Sequence, residues 1–160
     1  MREDIVRHAF EVFQSDTETI PPITLRGGTA VDRYHVSPPF DPDMDQPTDA
    51  YLEAYAYWGL NYLDPASWRH YLPFLIDYAI RHIGEPGSLV TDGLLSSLRP
   101  PDREPPRLGS ISLGQEAVVV EFLDLLAFGE RSAYQDFAMQ VLEEYWVPNA
   151  LYRERNTGGT

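Results

Sequence analysis

The chain has 160 residues, is 43% hydrophobic and carries a formal net charge of −13; it has no cysteine, and all twelve of its cationic side chains are arginine. These values suit one packed domain, exclude disulfides, thiolate metal sites, Schiff-base lysines and P-loop phosphate binding, and argue against a nucleic-acid partner, which needs a basic surface. No stretch reaches the ~18 apolar residues of a membrane span, and Met1-Arg2-Glu3-Asp4 opens no apolar leader, so a cytoplasmic, membrane-free protein is expected.

Ile5, Val6, Ala9, Phe10 and Phe13 recur at three-to-four spacing and predict a first amphipathic helix over 3–14. Residues 15–47 change character: Pro21-Pro22, Gly27-Gly28, Pro38-Pro39, Pro42 and Pro47 oppose a long helix. That segment reads as a long irregular excursion or as a small hairpin turning at Gly27-Gly28. Thr48 caps a predicted second helix. Asp64-Pro65 reads as an N-cap followed by proline at the first helical position. Pro73 then divides the region into helices over 65–71 and 73–83.

A short helix is expected over 88–98, and the proline-rich stretch 100–106 is a surface connector. Ser112 with Gln115, and Ser132 with Gln135, carry capping-box spacing. The first opens a helix to about Phe128 whose apolar residues cover most of its surface, the pattern of a helix buried on most sides. The second opens a helix to about Trp146, ahead of Pro148. The expected architecture is mostly α: a single compact helical domain of about six helices over 1–150, with a frayed tail over 151–160.

The stretch Leu63-Asp64-Pro65-Ala66-Ser67-Trp68-Arg69-His70-Tyr71-Leu72-Pro73 gathers Trp, Arg, His and Tyr in one place. It resembles a recurrent phrase of a family of small bacterial proteins of unknown function. That phrase runs leucine-threonine-proline-acidic-small-aromatic-arginine-aromatic-tyrosine-leucine-proline. The likeness extends to 5–10, to Leu94-Leu95-Ser96-Ser97-Leu98-Arg99-Pro100 and to Ser112-Leu113-Gly114-Gln115. Asp64 stands where threonine is frequent, and Trp68 and His70 where other aromatics are common. The resemblance marks a fold and implies no catalytic residues.

The acidic run 41–49 suggests a calcium loop only superficially, since Gln46 occupies the place of the turn glycine and Leu52 that of the bidentate glutamate. His70, Asp77 and His82 are poorly spaced for a metal, and Asp77 is better explained by an ion pair with Arg81 four residues on. Gly109-Ser110-Ile111-Ser112-Leu113-Gly114 lacks the glycine offsets of a nucleophile elbow. No cofactor, metal or catalytic set is therefore expected.

The candidate binding surface is Tyr57, Tyr62, Trp68, Arg69, His70 and Tyr71: aromatic walls with a polar rim, or else core anchors with Arg69 capping carbonyls of the preceding helix. Acidity and abundant tyrosine favour a non-catalytic protein-binding module, of regulatory or immunity type, whose partner has a basic surface. The alternative is a small-molecule-binding protein, or an enzyme without a familiar signature, working through 68–71.

Overall fold

The computed structural model describes residues 2–153. Eight α-helices lie among them: α1 Arg2–Val12, α2 Gln14–Glu18, α3 Leu25–Asp32, α4 Asp49–Gly59, α5 Pro65–Arg81, α6 Leu89–Ser97, α7 Leu113–Phe128 and α8 Gln135–Val141. Short 3-10 turns follow α4 (Leu60–Tyr62) and precede α7 (Leu108–Ser110), and α8 runs on into a π-helical turn, Leu142–Trp146. The mostly helical class holds, and no strand occurs among the described residues. None of these helices is long and apolar enough to cross a membrane.

Most of the predicted starts are present. Thr48, Asp64 and Ser88 each accept the backbone N–H three residues on. Ser112 and Gln115 close a full capping box, with Gln115 N donating to Ser112 Oγ at 3.1 Å and Ser112 N to Gln115 Oε1 at 2.9 Å.

Three expectations are corrected. Residues 25–32 form α3 and not a hairpin, and Gly28 serves helix contact instead of a turn: a Cβ on Gly28 would collide with the backbone of Gly59 on α4, and one on Gly59 with the Leu25 carbonyl. Residues 14–18 are also helical, so about six helices becomes eight. Second, Pro73 does not divide α5, which runs unbroken for 17 residues. An internal proline costs a helix about 3 kcal/mol, and here Trp68, Tyr71, Leu72, Leu75 and Ile76 are buried around it and offset that cost. Third, Ser132 makes no capping box. Its Oγ accepts from Tyr134 N at 3.1 Å, while Gln135 Nε2 reaches back to the Gly129 carbonyl at 2.7 Å, so α8 starts three residues later than Ser132.

Helix α5 occupies the centre and touches α1, α2, α6 and α7. Its Trp68 and Tyr71, with Phe13 before α2 and Phe122 of α7, are among the largest fully buried side chains. Of the tail expected to fray, residues 154–160 lie outside the described residues. Residues 151–153 are held: Leu151 N and Tyr152 N donate to the Glu143 and Glu144 carbonyls, and Arg153 pairs with Glu116.

Candidate functional site

Burial divides the six residues of the sequence-derived surface. Trp68 and Tyr71 lie in the core with no exposure. The Trp68 indole donates to Ser97 Oγ at 3.2 Å, and the Tyr71 hydroxyl accepts from Leu25 N at 3.3 Å. Burial pushes the Tyr71 phenol up to about 12. His70 is nearly buried, with Nδ1 donating to the Asp16 carbonyl at 2.9 Å. Burial lowers its pKa, against the opposing pull of the Asp16 and Thr19 backbone. Arg69 does not cap the preceding helix; its Nε donates to Asp16 Oδ1 at 3.0 Å. Gln115 Nε2 donates to the other oxygen of that carboxylate, so Asp16 fastens α2 to α5 and α7.

Tyr57 and Tyr62, each 38% exposed, stay at the surface with Trp58, 48% exposed. The Tyr57 and Trp58 rings meet edge to face at 4.8 Å. About one turn further on, the Tyr62 hydroxyl donates to Asp32 Oδ1 at 2.8 Å. That carboxylate raises the Tyr62 phenol pKa, and nearby Tyr34 adds to the shift. Asp32 is the last residue of α3, so this bond ties the end of α3 to the turn after α4.

Tyr34 is 99% exposed and has φ 63°, in the left-handed region. It follows the C-cap Arg33. Tyr34 N donates to Val31 O at 3.0 Å and His35 N to Ala30 O at 2.8 Å, the paired bonds of a Schellman ending. Glycine normally fills this position, because a Cβ there costs about 1–2 kcal/mol. A tyrosine held there gains nothing from burial to offset that cost. The sequence carries no signal for this, since the reading of 15–47 placed no helix end at Arg33.

The platform beneath is cross-braced by hydrogen bonds. Arg26 of α3 binds Asp45 through Nε and Nη2 at 3.0 and 2.8 Å. Tyr51 of α4 donates to the same carboxylate at 2.7 Å and accepts from Arg26 N at 3.1 Å. Thr29 donates to the carbonyls of Leu25 and Tyr55. Of the acidic run, Asp45 turns inward to Arg26, while Asp41 Oδ1 accepts the N–H groups of Asp43 and Met44 and Asp43 stays exposed. Asp77 pairs with Arg81 at 3.2 Å, and His82 lies 2.5 Å from Glu85. Among the described residues no three His, Asp or Glu side chains are grouped to hold a metal ion.

No curated protein and no solved structure matches the chain. Residues 1–150 match the family of unknown function DUF6714, and the chain belongs to that family.

Proposed function

We propose that this chain is a non-catalytic protein-binding module whose contact face is built around Tyr34, Trp58 and Tyr62, and whose partner presents a basic surface. The observation that carries the reading is Tyr34: a fully solvated phenol kept in a left-handed conformation where glycine is cheaper. Strain retained at a site with no packing return points to use outside the folded chain. Tyrosine and tryptophan are favoured interface anchors because they bring large area at low entropy cost. The net charge of −13 selects a basic partner by attraction. Arg69, His70, Trp68 and Tyr71 support the face from within, by fixing α2, α3 and α5.

The test is crosslinking mass spectrometry on the protein in its own host with an amine–diazirine reagent, which couples an amine of the partner to any nearby residue of this lysine-free chain, followed by titration of the recovered partner against Tyr34→Gly and Trp58→Ala. Crosslinks should fall at 34–36 and 57–62, affinity should weaken with salt, and both variants should bind worse while melting no lower than about 2 °C below the parent. Undiminished binding by both variants, or crosslinks confined to another face, overturns the reading.

A further inference from the structure

Helices α1 and α7 run antiparallel. Gln115 Nε2, near the start of α7, donates to the Val12 carbonyl at 2.9 Å, and His8 Nδ1 lies 3.9 Å from Glu121 further along. Beyond that contact an open groove of about 660 Å³ separates the start of α1 from the end of α7. Ile5, Leu125 and Phe128 form its apolar walls. Ile5 and Leu125 are only partly buried against the core, and Phe128 is 65% exposed. Phe128 thus prolongs the apolar surface of α7 into solvent.

The rim of the groove is acidic. Asp4, Glu121 and Asp124 line it against one cation, Arg2. Asp4 holds Arg7 at 2.9 Å, whereas Glu121 meets only the distant His8. Asp124 makes no hydrogen bond or ion pair within the described residues. The last turn of α7 carries no basic side chain, so the partial negative charge of the helix end adds to that of the carboxylates. The positive start of α1 does not offset it, because Glu3 and Asp4 occupy its own first turn.

We infer that this groove is a docking site for a cationic amphipathic helix of a partner protein. Its apolar side chains would lie between Ile5, Leu125 and Phe128, and its lysines or arginines beside Glu121 and Asp124. Along α7 the lining runs from Glu121 to Gly129, about 12 Å or two helical turns. That length takes the side chains on one face of a third helix laid between α1 and α7. A second copy of this chain meeting groove to groove would oppose carboxylates with carboxylates, in a chain of net charge −13. A neutral apolar helix would fill the walls but leave the carboxylates desolvated and unpaired. The groove shares no residue with the aromatic face, and neither proposal depends on the other.

Fluorescence anisotropy of the full chain with a labelled leucine–lysine peptide of about 15 residues, its leucines patterned on one helical face, tests the site. A peptide of the same composition in permuted order carries the charge without the apolar stripe. Saturable one-to-one binding of the patterned peptide is expected, with the permuted one weaker by at least about tenfold. Phe128→Ala should also cost about tenfold, the loss of an apolar anchor whose exposure makes it of little use to folding. Asp124→Asn should weaken binding and lessen its dependence on salt. Asp43→Asn, which removes an exposed carboxylate outside the groove, should change neither. No saturable binding, equal binding of the permuted peptide, or unchanged affinity in Phe128→Ala or Asp124→Asn overturns the site. A loss on Trp58→Ala as large as that on Phe128→Ala also overturns it, because it places the peptide on the aromatic face.

Discussion

Arg26 and Asp45 form a two-pronged ion pair, at 3.0 and 2.8 Å, in which the Asp45 side chain has no solvent exposure at all. The pair joins α3 to the turn before α4, and Tyr51 closes it with a third hydrogen bond. It makes Asp45, within the acidic run 41–49, a structural clasp.

Asp45→Asn should therefore cost about 3 kcal/mol at pH 7, since breaking a buried pair leaves Arg26 without its counter-charge. Burial pushes the Asp45 carboxyl up, but Arg26, Tyr51 and the Asp41 N–H outweigh it and hold the folded value below the usual range. Stability from this group is present above the ordinary carboxylate value of about 4 and is lost as pH falls through the folded value. Urea unfolding at pH 7 and at pH 2 should show the gap between parent and variant shrinking in acid. A constant gap would show that ionisation of Asp45 is not what stabilises the clasp.

The Gly28–Gly59 approach sets the spacing of α3 and α4. Gly28→Ala should destabilise by about 3 kcal/mol or more, because the new methyl meets backbone that cannot rotate away. Gly87→Ala on an exposed turn is the control for glycine replacement, with strain from its φ of 78° but open space around it. Thermal melts should rank Gly28→Ala clearly below Gly87→Ala; the reverse order would sink the close-contact account.

Tyr34→Gly should raise stability by up to about 1 kcal/mol, as relief of the left-handed strain exceeds the added chain entropy of glycine. Tyr34→Ala retains the Cβ and should give no such gain. Melting temperatures for the two variants, compared with the parent, check the sign.

His70 has its folded pKa lowered by burial, so the unfolded chain takes up the proton first. Its contribution is complete above the ordinary histidine value of about 6.5 and declines as pH falls below it. His70→Gln, which keeps a donor for the Asp16 carbonyl, should flatten the stability change between pH 7 and pH 5. An identical slope in parent and variant would show that His70 does not titrate in that window.

Much of the candidate site could not be read along the chain. Trp68 and Tyr71 share one phrase with Arg69 and His70, yet helical geometry sends the first two into the core and leaves Arg69 on Asp16, 53 residues away. Tyr34 gave no local signal, because only an observed helix end reveals that it sits in glycine's place. Arg107, just past the connector 100–106, carries no local mark of burial, since that burial depends on Leu60 and Trp68 closing over it from distant segments.

What the sequence by itself determined is what local chemistry controls. Side-chain oxygens at Thr48, Asp64, Ser88 and Ser112 satisfy nearby N–H groups wherever the helix lies, and the near-continuous apolar surface of α7 requires burial from many sides. Tertiary structure decided the rest. It carried α5 through Pro73, because burial on both flanks outweighs one lost hydrogen bond, and it set Gly27-Gly28 inside a helix, where α4 approaches Gly28 too closely for any side chain. Such choices depend on neighbours distant in sequence, whose contribution no local pattern records.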